Sequence, residues 1–102
     1  MINILDKPTP KEIIVRIAAR LRVIRRRRKI SQVRLAKISG VSLSSLKRFE
    51  RTGEISLLSL SKIVFALNRS EELDSLFVRK EYLSMDEVVR EYEISQQNRR
   101  DV

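Results

Sequence analysis

The stretch "SQVRLAKISGVSLSSLKRFERTG", Ser31 to Gly53, contains the start and stop signals of two short helices. Ser31 is a candidate N-cap for the first helix, and Gly40 can adopt the positive φ that ends it. Ser42 offers a new N-cap only two residues later, and Gly53 supplies the second helix stop. These signals predict two helices joined by a tight turn, with bounds of 32–39 and 43–51.

Three more helices are predicted around this pair. The first begins in "TPKE", with Thr9 as N-cap, Pro10 at the first helical position and Glu12 as the capping-box partner. It runs to about residue 28, so the arginines of "IRRRRKISQ" fall in its last turn. Ser56 is the expected N-cap of the fourth helix, and Ser70 that of a short fifth helix through Phe77.

Apolar residues at three- and four-residue spacing mark the face of each helix that we expect to be buried. On the first helix these are Ile14, Ile17, Ala18, Leu21 and Ile24, and on the next two they are Leu35, Ala36, Ile38, Leu46 and Phe49. The fourth helix contributes Leu57, Leu60, Ile63, Val64 and Leu67, and the fifth contributes Leu73, Leu76 and Phe77.

The sequence therefore predicts an all-α protein with one principal domain. We expect an N-terminal arm over residues 1–8, a five-helix domain over 9–78 and an acidic, partly flexible extension over 79–102. Within the extension, Ser84 to Glu87 forms another capping box, and Met85, Val88, Val89 and Tyr92 stripe a last amphipathic helix. The final "SQQNRRDV" is expected to be frayed.

The residue inventory excludes several classes of protein. The chain has 102 residues and no cysteine or histidine, which rules out a disulfide scaffold, a zinc finger and a Ser-His-Asp triad. Catalytic residues, metal ligands and cofactors are not expected, and Ser44 and Ser45 have no base to activate them. The N-terminus lacks the pattern of a signal peptide and no apolar run approaches the ~18 residues of a membrane span, so we expect a cytoplasmic, nucleoid-associated protein without a membrane partner.

The net charge of +9 indicates a polyanionic partner, and its distribution is uneven. Residues 11–53 hold 14 Lys and Arg against two acids, whereas residues 71–93 hold three bases against eight acids. The chain thus has a basic body followed by an acidic segment, which DNA would repel and which suits a protein partner better.

A helix–turn–helix with a second helix rich in small polar and basic side chains fits the major groove of DNA, about 12 Å wide. At this point the sequence resembles the Xre family of phage repressors and Cro. The matching positions are Ser31-Gln32, Leu35-Ala36, Gly40-Val41-Ser42, Leu46, Glu50 and Gly53, and the resemblance covers about residues 11–77. It implies a five-helix repressor-type helix-turn-helix domain that binds double-stranded operator DNA.

The resemblance also implies roles for individual residues. The base-reading positions would be Leu43, Ser44, Lys47 and Arg48, and Arg48 is suited to a bidentate contact with guanine. Leu43 stands where the family often has a polar residue, so part of the specificity is expected to come from DNA shape. Contacts to the DNA backbone would come from Gln32, Ser42, Arg51 and Thr52, together with Arg28 and Lys29 from the arginine run. Glu50 is expected to support the fold instead of acting as a catalytic carboxylate.

The arginine run continues a capped amphipathic helix, so we interpret it as a folded edge and not as a polybasic tail. Each cation from Arg25 to Lys29 has two open interpretations: contact with the DNA backbone, or a solvated partner of the helix dipole. Arg34 and Lys37 are expected to be solvated.

A regulator of this kind usually binds DNA as a dimer, because two recognition helices must reach half-sites about 34 Å apart. The candidate dimer or partner surface is Leu73, Leu76, Phe77, Val78 and Tyr82. A finer resemblance links "LDSLFVRKEYLSMDEVVREYE" to HipB-like antitoxins, which repress their own operator and hold a HipA-like serine/threonine kinase toxin. The alternatives are a stand-alone phage-type repressor or restriction-modification controller, and a basic RNA- or membrane-surface binder that uses the arginine run alone.

Overall fold

The computed structural model describes residues 7–78 and 85–100, and this part of the chain is helical, with no strand. The helices are α1 (Pro10–Arg27), α2 (Gln32–Ser39), α3 (Leu43–Thr52), α4 (Leu57–Ala66), α5 (Ser70–Asp74) and α6 (Met85–Arg100). The predicted class, an all-α domain of five helices with a C-terminal helical extension, is confirmed.

The helices begin after the predicted caps, because each cap side chain accepts a hydrogen bond from an amide that has no partner within the helix. In each of the first four helices the cap oxygen accepts a hydrogen bond from the N–H three residues ahead. The pairs are Thr9 with Glu12, Ser31 with Arg34, Ser42 with Ser45, and Ser56 with Ser59.

Two helices end in the left-handed conformation without glycine. After α1, Lys29 has φ 56°, and after α4, Asn68 has φ 60°. In both turns the amide of the left-handed residue and the amide of the residue after it donate to carbonyls in the last turn of the helix. The second of these bonds joins Ile30 N to Arg25 O at 3.1 Å after α1, and Arg69 N to Val64 O at 2.9 Å after α4. This double bonding closes α1 and α4 with a Schellman motif.

The core lies where α1 packs on α3 and α2 packs on both α3 and α4. Its buried side chains are Ala18, Leu35, Val41, Leu46, Phe49, Ile63 and Leu67. Partly buried apolar residues from α1, α2, α4 and the connecting loops surround them. The apolar stripe of α1 and the predicted core positions of α3 are confirmed. This packing leaves the opposite face of α3 in solvent.

Gly53 ends α3 at a point of close contact with α1. Its φ is 81°, and a Cβ built on it would lie 2.6 Å from the backbone carbon of Ile14. Gly40 has a similar φ of 76°, but nothing lies within 4 Å of its hypothetical Cβ. Glycine is therefore required at position 53 both by the positive φ and by the lack of room for a Cβ, whereas at position 40 it is required by the positive φ alone.

Several predictions at the second half of the domain are wrong. Arg69, not Ser70, precedes α5, with no side-chain cap, and α5 ends at Asp74 instead of Phe77. Ile38, Leu57, Leu76 and Phe77 are exposed and not buried. A single turn of helix cannot cover these side chains, since α5 is only five residues long.

The C-terminal helix begins at Met85, where its predicted apolar stripe begins, and it continues through Arg100. The expected fraying of the final residues stays a prediction. The predicted cap Ser84 and the partner-surface residue Tyr82 lie outside the described residues, as do residues 1–6 of the predicted arm.

Candidate nucleic-acid interface

The α3 helix has one buried face and one polar, cationic face. Leu46 and Phe49 are 0% and 1% exposed and anchor the helix in the core. On the far side of the helix, 100° per residue places the exposed side chains of Ser44, Lys47, Arg48 and Arg51 together. Leu43, also predicted to read bases, is half-buried at the edge of this face. The helix therefore presents hydrogen-bond donors and cations to solvent, while packing on the core fixes its position in the domain.

The N-terminus of α3 carries a cluster of three hydroxyls. Ser42 Oγ accepts from the amide of Ser45 at 3.2 Å and donates to Ser45 Oγ at 2.8 Å. Ser42 Oγ and Ser44 Oγ lie 3.3 Å apart. A helix N-terminus with its partial positive charge and exposed hydroxyls is suited to a phosphate oxygen.

At the C-terminal end of α3, Arg48 has a partner that sequence reasoning missed. Its Nη2 lies 3.0 Å from Glu54 Oε2, and both side chains are more than half exposed. The hydroxyl of Thr52 is also occupied, donating to the carbonyl of Arg48 at 2.7 Å and accepting from the amide of Glu54 at 3.1 Å. These contacts hold the last turn of α3 and direct the Arg48 guanidinium along it.

Glu50 joins α1, α2 and α3 through one carboxylate. Arg25 Nε and Nη2 donate to its two oxygens at 2.7 and 2.9 Å, and Arg25 Nη1 donates to the carbonyl of Ile30 at 2.8 Å. Gln32 Nε2 donates to Glu50 Oε1 at 2.9 Å, and Arg22 Nε lies 3.9 Å from the same oxygen. Such a bidentate, buried pair fixes the relative positions of the three helices.

The surroundings of Glu50 act on its pKa in opposite directions. Burial raises the pKa, while the hydrogen bonds from Arg25 and Gln32 and the charges of Arg25 and Arg22 lower it. The net effect is a pKa below the ordinary value, because the ionised carboxylate is the form these donors stabilise.

The cations of the arginine run separate into different roles. Arg25 is only 7% exposed and bonded to Glu50, so neither of the two interpretations given for it, DNA contact or solvation, is right. Arg28 is exposed, yet its Nη1 donates to the carbonyl of Leu67 at the end of α4. Lys29 is exposed in the left-handed turn after α1, and its contact with DNA stays a prediction.

The structure thus brings together part of the predicted site. Gln32 meets α3 through Glu50, while Ser42, Ser44, Arg48 and Thr52 lie on or next to α3. Among the residues the structure describes, no cluster of three or more His, Cys, Asp or Glu is placed to hold a metal ion. None of the helices described is long and apolar enough to cross a membrane.

Two short helices, α2 and α3, are joined by a turn with a left-handed Gly40, and the second is seated on the core with its cationic face outward. This arrangement is that of the helix-turn-helix class of DNA-binding proteins. The helix-turn-helix family profile matches residues 21–73, just over half of the 102 residues. The chain belongs to the Xre-type helix-turn-helix family and is a DNA-binding transcription regulator. A comparison with curated proteins found no matching relative.

The contacts that sequence reasoning missed include the Arg25–Glu50 pair and the Arg48–Glu54 pair. The first joins residues 25 positions apart, and five adjacent cations offered no pattern that separates Arg25 from its neighbours. The second joins residues across the glycine turn that ends α3, where helical spacing no longer applies.

Proposed function

We propose that the protein is a dimeric, sequence-specific repressor that binds its own operator with α3 in the major groove. The observation that carries this proposal is the exposed face of α3, in which Ser44, Lys47 and Arg48 lie opposite the buried Leu46 and Phe49. Arg48 makes the guanine contact, and Leu43 at the edge of the helix contacts a thymine methyl. Gln32, Ser42, Arg51 and Thr52 meet the DNA backbone, with Lys29 at the periphery.

The pairing of Arg48 with Glu54 supports a reading role. An exposed ion pair of this kind is worth little in stability, about 0–1 kcal/mol, so Arg48 can leave it at small cost. On correct DNA the guanidinium exchanges the carboxylate for guanine O6 and N7. Adenine and thymine each present a single acceptor at this edge, so only guanine offers the guanidinium the paired acceptors that replace the Glu54 carboxylate.

The test is a gel-shift titration on the upstream promoter fragment and on scrambled DNA of equal length, at two salt concentrations. Wild-type protein should retain its preference for the promoter at the higher salt. Arg48→Ala should lose about 1–3 kcal/mol of discrimination at one base step. Arg34→Ala on α2 is the matched control and should leave discrimination unchanged. Equal, salt-sensitive binding of both fragments by wild type would overturn the proposal in favour of charge-only binding.

We further propose that the regulator is the antitoxin of a HipA-like serine/threonine kinase. Support comes from the resemblance of residues 73–93 to HipB-like proteins and from the separation of charge, since residues 71–93 carry eight acids against three bases. A segment of this sign is repelled by DNA and suits a protein partner better. Leu73, Leu76, Phe77, Val78 and Tyr82 stay the proposed dimer or partner surface, and the acidic residues of the same segment are the ones offered to the kinase.

Co-expression with the kinase encoded beside this gene tests the antitoxin proposal. The two proteins should co-purify, and the complex should retain operator binding. If no such kinase is encoded there, or if the two proteins do not associate, the protein is a stand-alone repressor or controller.

A further inference from the structure

The face formed by α2, α4 and α5 carries a large apolar groove that the domain leaves open. Its volume is about 860 Å³, and its apolar lining residues include Ile38, Leu57, Leu58, Phe65, Leu73 and Phe77. Leu57 and Phe65 are 71% and 74% exposed, although they belong to a helix whose other face is core. Contiguous apolar surface of this kind marks an interaction site.

Phe77 adds a second unusual feature to the same groove. It is 86% exposed and has φ 64°, a conformation that costs energy for a bulky side chain. Its backbone turn places the ring outside the core, next to Leu76 and Val78, which are also exposed. The groove therefore ends in an aromatic side chain that nothing in the described chain covers.

The same chain carries a helix with an exposed apolar stripe. On α6, Met85, Val88, Val89 and Tyr92 follow the spacing i, i+3, i+4, i+7, and all four are exposed. This spacing is the anchor pattern of an amphipathic helix that binds in a hydrophobic groove. Both the groove and the stripe are exposed at the same time, so α6 does not fill the groove of its own chain.

Charge favours a second copy as the occupant. Each basic body has 14 Lys and Arg against two acids over residues 11–53, so two bodies repel one another when they meet. The stripe of α6 is flanked by Asp86 and Glu91, and Lys62 lines the groove beside one acid, Asp74. The first half of α6, residues 85–93, carries four acids against one base. When this acidic half crosses to the other body, it offsets part of the repulsion while both apolar surfaces become buried.

We propose that α6 of each copy docks in the α2–α4–α5 groove of the other copy, giving a two-fold symmetric dimer by reciprocal helix exchange. The inference rests on the proposed dimeric regulator and names the element that makes the dimer. Two equivalent contacts close the assembly without leaving either groove open. The two recognition helices then belong to one closed assembly, as binding to two operator half-sites requires.

Dimer dissociation measured by analytical ultracentrifugation gives the first test. Val89→Asp places a charge in the apolar contact and should raise the dissociation constant at least about tenfold. Ile94→Asp is the matched control, because Ile94 is on the opposite side of α6 and is exposed to a similar degree, 48% against 47%. It should change the constant less than about twofold. Equal effects of the two variants would overturn the proposal.

Disulfide trapping gives the decisive test, since the chain has no cysteine of its own. Leu58→Cys in the groove and Val89→Cys on α6 are made in chains with tags of different size, mixed and oxidised. The expected product is a disulfide between the two different chains. No cross-link, or a cross-link formed only within one chain when both cysteines are on it, would overturn helix exchange.

These outcomes are separable from failure of the proposed function. Promoter-specific binding by wild-type protein tests the regulator directly. If that binding and the dimer persist without the cross-link, the regulator stands and α6 exchange is wrong. If wild-type protein shows no promoter preference, the proposed function itself fails, whatever the cross-linking shows.

Discussion

Gly53 and Gly40 allow conformational strain and steric clash to be measured separately. Both have positive φ, so Gly40→Ala should cost about 1–2 kcal/mol for the left-handed backbone alone. Gly53→Ala carries the same strain and also pushes a methyl group against the Ile14 backbone, adding about 1–3 kcal/mol. Urea denaturation should therefore rank Gly53→Ala as the less stable variant. Equal losses of unfolding free energy in the two variants would show that α1 moves aside at no cost.

Glu50 should make the fold sensitive to acid. The pKa of Glu50 is lower in the folded protein than its ordinary value of 4.5. The ionised carboxylate therefore contributes its full stabilisation at pH values above 4.5. That stabilisation is lost as the pH falls through the lower pKa of the folded state. Glu50→Gln should lose this part of the acid dependence. At neutral pH it should also cost about 3–5 kcal/mol, because Arg25 stays buried without a counter-charge.

Thermal or urea unfolding of both proteins across the acid range measures this effect. Glu54→Gln is the control at neutral pH, since it removes a carboxylate from the exposed pair with Arg48 and should cost at most about 1 kcal/mol. A neutral-pH stability for Glu50→Gln that matches this control would show that the three-helix junction does not depend on the ion pair.

At the scale of the helix, the sequence predicts where helices begin far better than which faces they bury. Ser31, Ser42 and Ser56 cap α2, α3 and α4 as expected, because capping depends on atoms only three residues apart. Burial depends on what covers a face. Ile38 and Leu57 have the spacing of core residues but border the open groove, and no local pattern distinguishes the two situations.

The same limit applies to the candidate site. The face of α3 with Ser44, Lys47 and Arg48 follows from helical periodicity once Leu46 and Phe49 are assigned to the core. The bonds of Arg25 and Arg28 to residues on other helices do not follow, because they depend on the packing of whole helices.

Two N-cap serines separate helix stability from DNA contact. Ser42 caps α3 and Ser56 caps α4, with the cap oxygen accepting an amide at 3.2 and 3.0 Å respectively. Replacing either with alanine should lower stability by about 1 kcal/mol, measured by urea denaturation. Only Ser42→Ala should also weaken DNA binding under conditions where both variants are folded, because only α3 carries the proposed reading surface. Equal DNA affinities would remove Ser42 from the backbone-contacting set.

At the scale of the whole molecule, the net charge of +9 makes any DNA affinity dependent on salt, but only the cations that meet phosphate set the slope. Arg51 lies on the exposed face of α3, whereas Arg16 lies on α1, 3.8 Å from Glu12. Arg51→Gln should lower the slope of log affinity against log salt by about one for each bound copy, and Arg16→Gln should leave it nearly unchanged. Fluorescence anisotropy at a series of salt concentrations measures both slopes. A binder that uses overall charge alone would lose the same slope with either variant, so the difference between these two arginines distinguishes a docked α3 from a diffuse cationic surface.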